Sequence, residues 1–516
     1  MLNLEETAMN QTMNETLERL HTIDRESRHL EKALAVLRWD QETYLPEKGA
    51  VERSEQLALL EGIAHERLTS PETGRLLSDL GSARENPGGD EKIPAREREF
   101  LKTFRRDYDR AVLLPRDFVC DAARAEGLSQ AAWISARRDN EFSLFLPHLA
   151  KMVDFARQKA AYWGWQEKPY DGLLDIYEPG MGADSIAAVF APLGQRLSAL
   201  LKKIAAQPRP VDSFLVQECN IDNQMCFSRE LLSRLGFDMQ RGRLDVSAHP
   251  FTTILGSDDV RITARYLPRQ VQAGIFAAIH EAGHAFYEMD LPGDLRGTCL
   301  ADGASMGIHE SQSRLWENII GRSRPFWEGM LPVLRSYFPA PLYQVALDDF
   351  YRAINLVEPS LIRVEADEVS YSLHVILRFD LERDLIAGRL DPAKLPAAWR
   401  EKMKELLGIE PETDTEGVLQ DVHWSMGAFG YFPSYALGNL YGLEFWQKLK
   451  ADIPNADDLI AQGNFAPIRG WLRDAIYVWG RRLPPPALLE AVTGRQLSSE
   501  PFLAYIESKY ASLYGI

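Results

Sequence analysis

The sequence predicts a mainly α-helical protein, and three observations carry that prediction. Apolar residues recur at helical spacing over long stretches, from the N-terminal region to the final residues. Strand-like runs rich in β-branched residues gather in one place only, between residues 244 and 266. No internal repeat, low-complexity tract or shift of composition divides the chain, so residues 1–516 are expected to form a single domain.

The elements follow in order. From Thr16 to Leu37, Leu17, Leu20, Ile23, Leu30 and Leu34 mark one apolar face, and charged residues fill the other. That helix is expected to stop near Trp39-Asp40, with Pro46 and Gly49 turning the chain into a second helix over Val51–Ala64. Ser82–Pro94 is polar, with Gly and Pro, and reads as an exposed loop. Helical patterns resume around Ala122–Ala136 and Phe145–Trp163. LDVSAHPFTT and DVRITARY, separated by ILGSD, predict a small hairpin-like sheet just before Gln270. Pro484-Pro485-Pro486 breaks the chain ahead of a last helix ending in FLAYIESKYASLYGI.

Composition narrows the function. With 45% hydrophobic and 26% charged residues the chain is an ordinary globular one. A formal charge of −17 argues against nucleic acid or an anionic membrane as the main partner, because both demand clustered Lys and Arg. The acidic, polar N-terminus does not read as a signal peptide, and no segment approaches the ~20 apolar residues of a spanning helix. Cys120, Cys219, Cys226 and Cys299 form no CxxC pair, so free thiols in a cytoplasmic setting are expected.

The chemistry concentrates in QAGIFAAIHEAGHAFYEMD, whose Ala, Ile and Phe content suits a buried helix. One helical turn places His280 and His284 on the same face, about 6 Å apart along the axis, where both imidazoles can converge on one ion. Glu281 is offset by about 100° and can reach a water on that ion without coordinating it. Two His ligands and a Glu general base are the zinc-peptidase arrangement. Leaving such groups on a buried helix without a metal or partners is costly. A third ligand is needed. Asp290 lies about 240° around the helix from His284 and cannot reach. ASMGIHESQSRLWENIIG reads as a second helix, begun near Ser305 and ended by Gly321, that could deliver Glu310, with Glu317 as the alternative.

HEAGH followed by HESQSR resembles the carboxypeptidase Taq family of zinc metallocarboxypeptidases. Four further signatures stand in family order: HPF at His249–Phe251, DVRIT with Arg261, IRVEAD with Arg363, and GVLQDVHW with His423. WDQETYLPEKG near the N-terminus and the C-terminal tail also look similar, so the likeness spans nearly the whole chain. One departure is visible: in DAIYVWGRR, Tyr477 stands where a His is expected.

The resemblance implies an elongated helical body with a deep active-site groove, a small β-sheet at the groove edge and a homodimer. Residues 1–110 would then form a groove wall or lid, and 240–445 the catalytic core. Substrates would be peptides with a free C-terminus, and the cofactor Zn2+, with Co2+ a possible substitute. By the same resemblance His423 and a tyrosine about a dozen residues later donate to the oxyanion; Tyr435 fits that spacing, with Tyr431 the fallback. The substrate's terminal carboxylate calls for a cation, for which Arg suits by its fork geometry. Arg363 leads and Arg261 is second, with His249 also placed at the substrate. The competing reading of both arginines is an internal ion pair, Arg363 with Asp367 or Arg261 with Asp259. Two other functions stay open: an oligopeptidase or dipeptidyl-type peptidase on the same metal, and a catalytically silent peptide-binding scaffold.

Overall fold

The structure is a computed structural model that describes residues 2–516, with side chains from Asn10 onward apart from Glu47. It is helical almost throughout. Four helices open the chain: α1 (Leu2–Thr43), α2 (Ala50–Leu68), α3 (Pro71–Asp79) and α4 (Ala95–Val112). The apolar face read from the sequence buries Leu17, Leu20 and Ile23 against Leu77, Leu101 and Phe104, in a small core that also takes in Leu295 and Leu300. α1 does not stop at Trp39. It runs on to Thr43, because Trp39 is buried beneath the guanidiniums of Arg243 and Arg261, which lie 5.2 and 4.4 Å from its ring.

α5 (Arg116–Asp139), α6 (Phe142–Tyr162), α7 (Pro169–Leu174), α8 (Ala183–Ala205) and α9 (Ile221–Leu235) lead to the only sheet among the described residues. Its strands are β1 (Gly242–Val246), β2 (Thr252–Gly256) and β3 (Asp259–Ala264), in the order β1-β3-β2. The sheet sits where the sequence puts it, but its wiring differs. LDVSAHPFTT is not one strand. It breaks between Val246 and Thr252, around Pro250, which cannot donate to a ladder. ILG belongs to β2, so the hairpin is β2–β3, and β1 pairs with β3 in parallel.

α10 (Val271–Met289) and α11 (Met306–Arg314) follow. Ser305 caps α11 by accepting a bond from the Ile308 N–H, as expected from the sequence; such a cap is worth ~1 kcal/mol. Leu315–Ile320 then continues as a π-helical turn up to Gly321. α12 (Arg324–Tyr337), α13 (Pro339–Leu342), α14 (Leu347–Ile354), α15 (Tyr371–Ile386), α16 (Leu395–Leu407) and α17 (Phe432–Asp452) complete the main core. α18 (Ala456–Ala461), α19 (Ala466–Ala475), α20 (Pro485–Thr493) and α21 (Glu500–Tyr514) close the chain. The proline run does more than break it, since Pro485 occupies the first turn of α20, where a missing N–H costs nothing.

Candidate metal centre

α10 is buried nearly all round because apolar side chains cover every face except the one bearing the histidines. The rings of His280 and His284 stand 4.9 Å apart on that face. α11 crosses α10 at Gly283, where an added Cβ would lie 2.6 Å from the Ser313 Cα. On its other side α11 meets α17 at Gly438, where a Cβ would lie 2.5 Å from the Glu310 Cγ. Held between two glycines, Glu310 turns its Oε2 to the His280 and His284 Nε2 atoms at 3.7 and 3.4 Å, while its Oε1 accepts from Arg314 at 2.7 Å. The three residues offer donor atoms all within 4.8 Å of one another. Tetrahedral bonds of ~2.0–2.2 Å put their donors ~3.4 Å apart, so the set fits a divalent ion with little movement. Although burial opposes it, Arg314 and His280 hold the Glu310 carboxyl well below the usual range, which keeps it anionic.

Each histidine is backed on its other nitrogen. His280 Nδ1 lies 2.9 Å from Glu317 Oε2, and Glu317 also takes Arg314 and Arg322 at 3.2 and 3.4 Å. Against the effect of burial, Arg314 and His280 draw Glu317 down to about 2. Glu317, the alternative ligand in the sequence, thus stands behind His280 rather than beside the other donors. His284 Nδ1 lies 2.5 Å from His309 Nδ1, so one proton is shared between two ring nitrogens. His309 Nε2 in turn lies 2.9 Å from the buried carboxylate of Glu288. Burial, reinforced by His309 and His280, pushes His284 down to about 3 and keeps its imidazole neutral.

Glu281 is buried beside this cluster. Its Oε2 accepts from the Thr252 hydroxyl at 2.6 Å, which ties it to β2, and burial raises its carboxyl above the usual value. Tyr435 lies one turn before Gly438 on the α17 face that meets Glu310, and its hydroxyl is 3.2 Å from His423 Nε2. Tyr431 stacks on His423 with ring centroids 5.5 Å apart. Burial pushes His423 down to about 4. The loop bearing His423 is anchored by Glu382, a buried carboxyl that accepts from Trp424 Nε1, the Tyr170 hydroxyl and the Gly430 N–H.

Arg363 is buried, with its guanidinium 4.8 Å from the Tyr435 ring centroid. Its Nε and Nη2 both donate to Asp421 Oδ1, at 3.1 and 2.8 Å, and Nη1 donates to the Tyr371 hydroxyl at 3.2 Å. The ion pair with Asp367 is not made, since Asp367 accepts from the Val369 and Ser370 N–H groups ahead of α15. Arg261 does pair with Asp259, through two bonds of 2.9 Å, and is stacked on Trp39. His249 is exposed in the β1–β2 connection and joins none of these groups. Asp290 bonds Arg469 at 2.7 Å, away from the donors. Tyr477 is buried, and its hydroxyl donates to Gln312 at 3.1 Å, which fills the space beneath α11. All four cysteines are free.

His309, Glu288, Thr252, Arg314 and Glu382 received no role from the sequence. His309 and Arg314 carried a signal, as the first and last residues of HESQSR around Glu310.

A helical body that brings two histidines one turn apart, a glutamate from the next helix and a buried second glutamate to one point defines a metallopeptidase. Comparison with known proteins fixes the family: the chain belongs to the Carboxypeptidase Taq (M32) metallopeptidases, whose family model matches residues 19–510. It is 43% identical over 503 residues to thermostable carboxypeptidase 1 of Thermus thermophilus, covering 95% of this chain and 97% of that one. Carboxypeptidase 1 of Bacillus subtilis is 38% identical, covering 94% and 96%. Among solved structures, the M32 carboxypeptidase of Deinococcus radiodurans superposes with a TM-score of 0.94 at 37% identity, covering 97% of this chain and all of that one. Metallocarboxypeptidase 1 of Trypanosoma cruzi gives 0.89 at 32% identity, covering 96% and 99%. The chain is therefore a metal-dependent carboxypeptidase, acting on peptides. No helix among the described residues is long and apolar enough to cross a membrane.

Proposed function

We propose that His280, His284 and Glu310 hold one Zn2+, replaceable by Co2+, and that Glu281 is the general base that frees C-terminal residues from peptides. The observation that carries this reading is the convergence of both histidine Nε2 atoms on Glu310 Oε2, with Glu281 buried alongside. A bound zinc ion acidifies water and polarises a carbonyl. Glu281 takes the proton of the attacking water and passes it to the leaving amine. Its raised carboxyl suits a group that must both accept and return a proton, and the Thr252 hydroxyl fixes the direction in which it points. With Nε2 of His284 turned to the ion, Nδ1 carries the proton and donates to His309, which donates onward to Glu288. The Tyr435 hydroxyl and His423 supply donors to the oxyanion, each worth ~3 kcal/mol, with Tyr431 packing the pair.

Arg363 is proposed as the receptor of the substrate's terminal carboxylate. Its Nε–Nη2 edge is taken by Asp421, so the Nη1–Nη2 end, beside Tyr371, is the part a carboxylate would reach. Arg261, tied on both nitrogens to Asp259, and the exposed His249 are left as outer contacts of the peptide. We further read residues 1–516 as one working unit, with 1–110 as groove wall or lid and 240–445 as core, assembled as a homodimer in the cytoplasm. The free cysteines suit a reducing compartment.

The test compares a free peptide with its C-terminally amidated twin. Glu281→Gln should retain the metal and lose roughly 100- to 10,000-fold or more in turnover, and near-normal turnover would sink the mechanism. Arg363→Ala should cost free-acid peptides roughly 30-fold or more in kcat/KM, about 2 kcal/mol, and barely change amidated ones. Equal losses on both substrates would make Arg363 a scaffold residue.

A further inference from the structure

The chain as a whole is strongly acidic, at −17, yet one cavity apart from the paired histidines gathers positive charge. It lies between the loop of residues 82–94, α4 and the α6–α7 connection, has a volume of about 260 Å³, and is lined by Arg84, Lys102, Arg105, Arg106 and Arg110. Two acids share the lining, and both are engaged. Asp109 accepts from Arg105 at 2.8 Å, and Asp175 accepts from Arg106 and Arg110 at 3.3 and 2.5 Å. Five cations against two carboxylates leave an excess of three positive charges. Lys102 has no ion-pair or hydrogen-bond partner among the described residues, and Arg84 bonds only the Trp163 carbonyl. The crowding is felt at Arg110, which burial and the neighbouring Arg106 push down to about 10.

The remaining wall is aromatic. Arg110 lies 5.7 Å from the Trp163 ring, and Trp165, still 37% exposed, is seated on Gly172, where a Cβ would come within 2.6 Å of the indole. Concave clusters of one sign concentrate counter-ions, and guanidinium forks match the oxygens of a phosphoryl group. The volume falls below the ~300–1,000 Å³ of sites that enclose drug-sized molecules, which restricts the enclosed part of an occupant to a small group such as a phosphoryl.

We propose that this cavity binds a phosphoryl oxyanion, either free phosphate or the phosphate of a mononucleotide whose base lies against Trp165. The guanidiniums of Arg106 and Arg110 also line the next cavity, which His309 borders. The two cavities thus share Arg106 and Arg110 as a common wall.

Calorimetric titration of the full-length protein with inorganic phosphate, at near-neutral pH and at ionic strength fixed with sodium chloride, tests the site. Saturable binding is expected that persists in His284→Ala and weakens about tenfold or more in Lys102→Glu, a change at an exposed residue. Adenosine monophosphate binding more tightly than phosphate, with the difference removed by Trp165→Leu, assigns a nucleotide; equal affinities assign free phosphate. The proposal is overturned if neither probe binds saturably. It is also overturned if Lys102→Glu leaves binding unchanged, or if His284→Ala abolishes it, because the anion would then be sitting at the metal centre.

Discussion

His280 and His284 lie one helical turn apart and face the same glutamate, yet they are steadied by different means. His280 rests directly on Glu317, a carboxylate drawn down to about 2 and shared with Arg314 and Arg322. His284 reaches its carboxylate, Glu288, only through the intervening ring of His309. The direct contact places a full charge against the imidazole. The relayed one places the ring of His309 there and keeps the carboxylate a residue further off. Two histidines that a motif treats as equivalent should therefore respond differently when their support is removed.

The comparison can be broken in order of expected effect. His280→Ala and His284→Ala should each lower the metal content from one ion per chain to near zero by elemental analysis, because each removes a donor outright. Retention of the ion in either variant would remove that histidine from the ligand set. Glu317→Gln should weaken metal affinity about 10- to 100-fold in competition with a chelator, the usual cost of losing a ligand's supporting carboxylate. Glu288→Gln should cost less, under about tenfold, since the charge it removes lies one ring further from His284. Equal losses in these two variants would show that the relay transmits charge as well as a direct contact does.

The last test lies outside both networks, leaves metal affinity untouched and serves as a control. Burial raises the Glu382 carboxyl from 4.5 to about 7. Its neutral form is favoured in the folded state, so its stabilising contribution is complete below about pH 4.5 and fades as pH rises through about 7, by up to roughly 3 kcal/mol. Denaturant unfolding at about pH 5 and about pH 8 should show a smaller decline in Glu382→Gln than in the wild type, the remainder coming from groups such as the equally raised Glu178, while metal affinity stays the same.

How far the sequence carried depends on what fixes each contact. The His280–His284 pair was legible because the helix itself sets a four-residue spacing, and Glu310 because Ser305 signals where the next helix starts. The contact of His309 with Glu288 was not legible. It needs the register between α10 and α11, which neither helix specifies alone. Arg363 shows the same limit. Asp367 and Glu365 stood nearest in sequence, but the carboxylate that binds it is Asp421, 58 residues away. The sheet was found by its β-branched residues, while its order was not, because a parallel β1–β3 pair skips over β2 and leaves no local trace.

The close crossings at Gly283 and Gly438 change what the short motif means. Written as HExxH, it treats the residue before the second histidine as a wildcard. Here that position is Gly283, and the smallest side chain there would strike the backbone of the helix that carries Glu310. A saturation library should find positions 283 and 438 nearly as intolerant as the histidines, though neither bears a reactive atom. A designer moving this centre into another scaffold would need to copy two absences along with three donors.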